Sequence, residues 1–131
     1  MNRVELLSRI PTALKTNQTT LKKIVIEALC VFGIKNKTVE IWFVSEEKIR
    51  EFNQKYRQID KPTDVLSFPQ SEIAAKHQLL GSIMVSAISV IRKEEKIDDV
   101  IKHGLLHLLG FDHETDEPSW DTAAQKIKCE L

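Results

Sequence analysis

The chain has 131 residues, of which 42% are hydrophobic and 29% charged, and its 19 basic and 19 acidic side chains give a formal net charge of zero. This length and composition fit one globular domain over residues 1–131 and exclude a disordered or low-complexity chain. No apolar run approaches the roughly 20 residues of a membrane helix, and Glu5 lies where a signal peptide is apolar, so we expect a cytoplasmic protein without a membrane partner.

The chain begins with a predicted strand and a predicted helix. Residues 2–7 alternate weakly and predict a short strand. Apolar side chains recur three and four positions apart over residues 21–32, which predicts an amphipathic helix. Thr19 or Thr20 is the expected N-cap, and Gly33 follows the last periodic residue as a left-handed terminator.

A second strand and a second helix follow. Residues 38–44 are rich in β-branched and aromatic side chains and predict a largely buried strand. Ser45 can cap the next helix, whose apolar face carries Ile49, Phe52 and Tyr56. Residues 57–64 are polar and interrupted by proline, so we expect a loop.

The remaining chain predicts a strand pair and then helices. Residues 65–68 and 80–85 are short strands, and a hairpin with a loop over residues 70–78 would join them. Helical periodicity runs from residue 87 to a stop at Gly110, and a last helix begins near Thr115 or Asp116. Trp120 lies on the apolar face of this last helix, which predicts that it packs in the core. Strands and helices mix without strict alternation, which predicts an α+β fold with a small mixed four-stranded sheet and about five helices.

Three of the four histidines lie close together in the chain: His103, His107 and His113. Residues four apart project from one face of a helix, so His103 and His107 can converge on one ion. Gly110 can adopt the positive φ that ends the helix, which lets His113 approach the same point. Three neutral imidazoles with one open position form a known catalytic zinc arrangement, so this spacing predicts a metal site.

Gly104 distinguishes the motif from that of the metalloproteases. The spacing of the three histidines and Gly110 equals that of the metzincins, in which the residue after the first histidine is a glutamate that acts as general base. Gly104 occupies that position. The pattern therefore keeps the metal ligands but lacks the proton acceptor of peptide hydrolysis.

Two other interpretations of the histidines stay open. They can be ordinary side chains near a helix end, or they can hold a structural zinc ion. His77 has no partner at ligand spacing, so we expect it to be a surface histidine. Structural sites usually have four protein ligands and often use cysteine, whereas Cys30 and Cys129 are single, distant and expected to be reduced. Asp112 or Asp116 could supply a fourth ligand.

Two motifs carry a resemblance to a known family. The first is His-Gly-Leu-Leu-His-Leu-Leu-Gly-Phe-Asp-His, which begins at His103. The second consists of Asn53, Tyr56-Arg57 and then Asp-Lys-Pro-Thr-Asp-Val-Leu-Ser-Phe-Pro over residues 60–69. With these motifs the chain resembles the YbeY family, bacterial endoribonucleases involved in ribosomal RNA maturation.

This resemblance covers roughly residues 39–113 and implies a zincin-like fold that cleaves single-stranded RNA. It implies one zinc ion per chain held by His103, His107 and His113, although imidazole ligands suit other transition metals. These histidines and Arg57 are the implied catalytic residues. The implied substrate is a ribosomal RNA precursor, at the 3′ end of 16S rRNA, and the implied partners are the ribosome or small-subunit assembly proteins.

The chain departs from the family pattern at two places. Gly81-Ser82 stands where the family often has Gly-Asp, so no acidic role can be assigned there. The stretch over residues 86–103 and the last helix are shorter than usual, which affects helix packing and the RNA path more than the metal site.

Several polar and basic residues have two interpretations each. Position alone predicts that Arg57 is a solvated loop residue, whereas the resemblance implies that its guanidinium binds phosphate oxygens. Asp64 and Ser67 could hydrogen-bond near a cleft, whereas Leu66 and Phe68 are most simply core. Two small basic runs are either solvated faces or a track for a phosphate backbone: Lys55, Arg57 and Lys61, and Arg92, Lys93 and Lys96.

The sequence thus favours a zinc-dependent endoribonuclease that acts on single-stranded precursors of ribosomal RNA. One alternative is a metal-dependent hydrolase on another substrate such as a peptide, against which Gly104 argues. Another is a non-catalytic ribosome assembly factor with a structural zinc ion. The zero net charge on its own gives no indication of nucleic-acid binding.

Overall fold

The computed structural model describes residues 1–70 and 78–131. Its strands are β1 (Arg3–Leu6), β2 (Thr38–Val44), β3 (Val65–Pro69) and β4 (Leu79–Ser86). Its α-helices are α1 (Gln18–Val31), α2 (Glu46–Arg57), α3 (Ala87–Arg92), α4 (Ile97–Leu108) and α5 (Glu117–Lys126), and a short 3-10 helix spans Thr12–Leu14. The loop predicted over residues 70–78, apart from its two end residues, and His77 lie outside the described residues.

The four strands form one mixed sheet in the order β1-β2-β4-β3. β1, β2 and β4 are parallel, and β3 runs antiparallel to β4 with Val65 opposite Val85 and Ser67 opposite Ile83. The predicted strand pair is therefore confirmed, as is the α+β fold with a mixed four-stranded sheet and five α-helices in the described part of the chain.

Helix caps fix the ends of α1 and α2. The N-cap of α1 is Asn17, whose side chain accepts a hydrogen bond from the Thr20 backbone at 2.9 Å. The predicted caps Thr19 and Thr20 are thus wrong, because Asn17 offers an equally good acceptor and starts the helix earlier. Ser45 caps α2 as predicted, and Gly33, with a φ of +70°, follows α1 as predicted.

The end of α2 differs from the sequence prediction. The helix includes Arg57, which the sequence placed in the following loop, and ends at Gln58 in the left-handed conformation with a φ of 59°. The Gln58 backbone N–H donates to the carbonyl oxygens of Asn53 and Gln54, which extends the helical hydrogen bonding to this point. Arg57 is therefore carried by a helix rather than by a loop.

The sheet separates a large core from a small one. Val65, Ile83 and Val85 point to the face covered by α1 and α4, where α5 packs on α4. Leu66 and Met84, which alternate with them, point to the other face and pack against Ile49 of α2. The candidate site lies where α4 approaches β3 and the loop after α2, at the edge of both cores.

The helical pattern that begins at residue 87 is divided into α3 and α4, with Glu94 between them at a φ of 55°. The last helix starts as predicted, since the Asp116 side chain caps it by accepting from the Ser119 backbone at 3.2 Å. Among the helices that the structure describes, none combines the length and the apolar character needed to cross a membrane.

Candidate metal centre

Helix α4 and the turn after it bring three histidines together. The possible ligand atoms of His103, His107 and His113 all lie within 4.8 Å of one another. The ring centroids are 4.9 Å apart for His103 and His107, 5.4 Å for His103 and His113, and 5.5 Å for His107 and His113. The convergence predicted from the spacing is therefore present in the folded chain.

The turn at Gly110 directs His113 toward the helix. Gly110 has a φ of +95°, which a residue with a Cβ adopts only at a cost, although no atom lies within 4 Å of the place that a Cβ would take. Its backbone N–H donates to the His107 carbonyl at 3.1 Å, and that of Phe111 donates to Leu106 at 3.0 Å. Glycine is required here by the backbone reversal, not by crowding.

The histidines lie at different depths in a cleft of about 590 Å³. His103 and His107 are half-buried, and His113 is exposed. Burial, followed by the charges of the two other histidines, lowers the pKa of His103 to about 4. Burial is also the main cause that lowers the pKa of His107. Both imidazoles are thus held neutral near pH 7, which is the form that donates a lone pair to a metal ion.

The residues present fit a divalent transition metal. The Nδ1 atom of His103 is buried without a hydrogen-bond partner, as expected of a nitrogen whose partner is an ion. In the part of the chain that the structure describes, no cysteine, aspartate, glutamate or fourth histidine joins the group. Three imidazole nitrogens and one free position are typical of catalytic rather than structural zinc sites.

The aspartates that could have closed the site do not belong to the histidine group. The Asp112 carboxylate accepts a hydrogen bond from the Glu114 backbone at 2.8 Å, and that of Asp116 accepts from Ser119 at 3.2 Å. Both therefore stabilise the turn and the start of α5. Cys30 and Cys129 are free thiols outside the group.

Gly104 faces the sheet at a point of close packing. A Cβ built there would lie 2.9 Å from Ile83 Cγ2, 3.0 Å from Val65 Cγ2 and 3.2 Å from Ser67 Oγ. The Ser67 hydroxyl also donates a 2.7 Å hydrogen bond to the Gly104 carbonyl. A glutamate does not fit at this position, which removes the general base of the metalloproteases for a structural reason.

Trp120 of α5 packs beside all three imidazoles. Its ring centroid lies 4.8 Å from that of His103, 4.9 Å from His107 and 5.0 Å from His113, and the residue is only 3% exposed. The sequence placed Trp120 on the core face of the last helix but gave no sign of this contact. Only the packing of α5 against α4 determines it.

Arg57 reaches the cleft from the end of α2. Its positive charge is one of the smaller causes that lower the pKa of His107, after burial, and this indicates that the guanidinium lies near that imidazole. Within residues 1–70 and 78–131, no carboxylate forms a salt bridge with Arg57. Its hydrogen-bonding capacity is thus available to a ligand.

The loop after α2 is tied back to the helix. Arg50 donates two hydrogen bonds to the Asp60 carboxylate, at 2.8 and 3.1 Å. The buried Asn53 amide donates to the Lys61 carbonyl at 2.9 Å. These contacts fix the path by which the chain returns from Arg57 to β3.

The comparisons with known proteins agree with this geometry. The family model for Endoribonuclease YbeY matches residues 7–127, which include all three histidines and Arg57. The chain belongs to the YbeY family.

Individual YbeY proteins match over most of the chain. The Endoribonuclease YbeY of Sulfurihydrogenibium is 39% identical over 127 residues, which cover 85% of this chain and 84% of the relative. That of Sulfurovum is 42% identical over 116 residues and covers 77% and 78%. A solution structure of a Thermotoga maritima protein is similar with a TM-score of 0.57 and 26% identity, over 98% of this chain and 87% of that one.

The structure accounts for the departure from the usual YbeY pattern in β4. Ser82 donates a 2.8 Å hydrogen bond to the carboxylate of Glu40, its neighbour on β2. A carboxylate of β2 thus lies beside position 82. At Gly81 a Cβ would lie 2.6 Å from both Leu108 Cδ2 and the Phe68 carbonyl, so this position has no room for a side chain.

Asp64 lines the cleft of this YbeY chain with its carboxylate already engaged. The carboxylate accepts from the Val65 backbone at 2.9 Å and the Thr63 hydroxyl at 3.2 Å, and Lys93 lies 3.8 Å away. Burial acts to raise the pKa of Asp64. This effect is outweighed by the hydrogen bonding of Glu95, the charge of Lys93 and the local hydrogen bonds, so the pKa of Asp64 is lowered. Burial and then Asp64 itself raise the pKa of Glu95 to about 7.

The two basic runs differ in the folded chain. Arg92 forms a salt bridge with Glu46 and Lys93 one with Asp64, so much of the charge of that run is neutralised. Lys55, Arg57 and Lys61 have no salt bridge among the residues that the structure describes. In the described part of the chain, the second run therefore keeps more unpaired positive charge than the first.

One core prediction is wrong and reveals a feature that the sequence missed. Leu66 is buried as predicted, but Phe68 is only partly buried and lines the cleft together with Phe52 and Tyr56. Phe68 lies on β3 at the edge of the sheet, where its ring contacts Phe52 and Tyr56 of α2. The cleft therefore has an aromatic side as well as a histidine side.

Proposed function

We propose that this chain is a metal-dependent endoribonuclease that cleaves single-stranded RNA with a zinc ion held by His103, His107 and His113. The observation that carries the proposal is the convergence of the possible ligand atoms of three imidazoles within 4.8 Å of one another, in a cleft that also contains Arg57. Membership in the YbeY family supports RNA as the substrate, because the relatives are named endoribonucleases.

The ligand roles follow from the state of the side chains. Burial keeps His103 and His107 neutral, so they offer lone pairs without first losing a proton. Trp120 packs against all three rings and restricts their rotation, which lowers the entropy lost when they bind an ion. A zinc ion held there would polarise a phosphate oxygen and lower the pKa of water toward neutrality.

Arg57 is the second electrophile in this proposal. Its guanidinium can donate two parallel hydrogen bonds to phosphate oxygens and stays protonated throughout the reaction. The charge that develops on a phosphate during cleavage would thus be stabilised from the helix α2 side as well as from the histidine side. The absence of a salt bridge to Arg57 in the described ranges leaves the fork free for this purpose.

The test is cleavage of a labelled single-stranded RNA by the purified chain, compared with a duplex of the same sequence. We expect cleavage of the single strand that is lost with a chelator and restored by zinc. His107→Ala is the matched variant, since it removes one of the three proposed ligands, a half-buried imidazole. Equal cleavage with and without chelator, or by His107→Ala, would contradict the metal mechanism. Elemental analysis of protein purified without chelator would identify the metal.

The finer proposal concerns the substrate in the cell. We propose a ribosomal RNA precursor, matured at the 3′ end of 16S rRNA during ribosome quality control in the cytoplasm, with the ribosome or small-subunit assembly proteins as partners and residues 1–131 acting as one domain. Incubation of precursor small-subunit particles with the chain should shorten this end. Cleavage of free RNA combined with no change in such particles would contradict the assignment.

A further inference from the structure

Three aromatic side chains form a compact group on one side of the cleft. The ring centroids of Phe52, Tyr56 and Phe68 are 5.6 to 5.8 Å apart. Phe52 and Tyr56 are nearly parallel, with 19° between their planes, whereas Phe68 meets both edge-on, at 66° and 73°. These are the preferred geometries of aromatic pairs, so each ring holds the others in a fixed orientation.

The inner and outer members of this group differ in burial. Phe52 and Phe68 are partly buried and pack against the small core of Ile49, Leu66 and Met84. Tyr56 is 54% exposed, and its ring forms the outer surface of the group. The described residues provide no hydrogen bond to its hydroxyl, so the fold itself does not use that group. A ring that is exposed to solvent and also held in place by Phe52 and Phe68 is suited to binding a flat ligand.

Positive charge surrounds this exposed ring. The Lys55 ammonium lies 5.3 Å from the Tyr56 ring centroid, and Arg57 is the next residue on the helix. Neither cation has a carboxylate partner in the residues that the structure describes. Lys55 is exposed and long, so its ammonium can move to a phosphate when another flat group occupies the ring.

We propose that Tyr56, supported by Phe52 and Phe68, is the platform on which an unpaired nucleobase of the RNA stacks beside the phosphate to be cleaved. This inference rests on the proposed function and extends it to the residue that selects single-stranded RNA. A base can lie flat on a protein ring only when it is not stacked within a duplex. The platform lines the same cleft as the histidines, so a base stacked there keeps its phosphate near Arg57.

The first test measures binding without cleavage, using the full chain treated with chelator and a short single-stranded RNA. Tyr56→Leu keeps an apolar side chain but removes the ring, and we expect about a tenfold weaker affinity from the loss of one base stack. Tyr56→Phe keeps the ring and should bind as the parent does. Trp42→Leu is the matched control, because Trp42 is another exposed aromatic residue, 36% accessible, that does not line the cleft. Equal affinity of Tyr56→Leu and the parent would overturn the proposal.

The second test has a readout that a merely structural role would not change. Removal of one base at successive positions of the RNA should weaken binding to the parent chain most at one position, and Tyr56→Leu should be insensitive there. A 2-aminopurine at that position should lose fluorescence on binding to the parent and to Tyr56→Phe only. The same sensitivity in Tyr56→Leu would contradict stacking on this ring.

Cleavage by the zinc-loaded chain separates this inference from the proposed function. If the parent cleaves single-stranded RNA and Tyr56→Leu cleaves it with unchanged KM, the endoribonuclease assignment stands and the platform is wrong. If the parent neither binds nor cleaves RNA, both are wrong. We expect Tyr56→Leu to raise KM more than it lowers kcat and to lose discrimination against duplex RNA.

Discussion

The hydroxyl of Ser67 on β3 donates a 2.7 Å hydrogen bond to the carbonyl oxygen of Gly104 on α4. This contact brings the helix that carries His103 and His107 close to the sheet, where no side chain fits at position 104. The residue that separates this site from a protease site is thus also the residue that allows α4 to pack against β3.

Gly104→Ala should destabilise the chain despite the higher helix propensity of alanine. Overpacking costs about 1–3 kcal/mol, and the contacts of 2.9 and 3.0 Å place this site in the upper part of that range, at about 2–3 kcal/mol. The gain in helix propensity offsets about 1 kcal/mol, so we expect a net loss of about 1–2 kcal/mol. Urea denaturation of the metal-free chain measures it. The new methyl group would meet Ser67 Oγ at 3.2 Å, so Gly104→Ala with Ser67→Ala should cost less than the sum of the single variants. A Gly104→Ala chain as stable as the parent would contradict this packing.

Metal binding should change the fluorescence of Trp120, because its indole lies within 5.0 Å of all three imidazoles. The chain has two tryptophans, and Trp42→Phe leaves only Trp120 to report. Addition of Co²⁺, a quencher at short range, to this chelator-treated variant should reduce its emission and saturate at one equivalent. The double variant Trp42→Phe, His107→Ala should require a much higher Co²⁺ concentration for the same loss of emission. No change in emission at saturation would place the ion elsewhere.

Arg57→Lys should reduce RNA cleavage although it keeps the charge. Lysine lacks the planar fork that binds two phosphate oxygens, so we expect kcat to fall about 100-fold, the usual loss for one donor to a transition state. The affinity for zinc should change little, since Arg57 is not among the ligand group. Isothermal titration with zinc and single-turnover cleavage separate the two effects. Arg9→Lys, a change of the same kind outside the cleft lining, serves as control.

Glu95→Gln should stabilise the chain at high pH but not at low pH. The pKa of Glu95 is raised to about 7 from the model-compound value of 4.5, so the folded state binds its proton more tightly than the unfolded state does. Stability from this group is therefore present below about pH 4.5 and is lost as pH rises through 7. Because the carboxyl is partly exposed and screened by solvent, we expect a gain of at most about 1 kcal/mol at pH 8.

The measurement is the difference in free energy of unfolding between Glu95→Gln and the parent from pH 4 to 8, without metal. The difference between the two chains is needed because His103 changes the free energy of unfolding with pH in the opposite sense. The pKa of His103 is lowered to about 4, so the stability that this group contributes is lost as pH falls from about 6.5. This slope is common to both chains and cancels. A constant difference across this range would show that Glu95 titrates normally.

Features that depend only on neighbours along the chain could be predicted from the sequence. Helix periodicity and turn conformation depend on only a few neighbouring residues. The sequence therefore predicted the shared helix face of His103 and His107, the chain reversal at Gly110 and the helix cap at Ser45. Two motifs also sufficed to indicate the YbeY family. The cap of α1 and the end of α2 were misplaced, since several residues near each end could serve and small energies decide among them.

The contacts between residues of different elements at the site depend on how whole elements dock. Trp120 lies in the core as predicted, but only the docking of α5 places its ring against the three imidazoles. Phe68 also lines the cleft, which the core prediction did not include. The same holds for Asp64 and Glu95, which are distant in sequence. Their pKa values shift in opposite directions because the fold brings the two carboxyl groups together. Such contacts join residues far apart in the chain, and a periodic pattern carries no information about which distant face each element will cover.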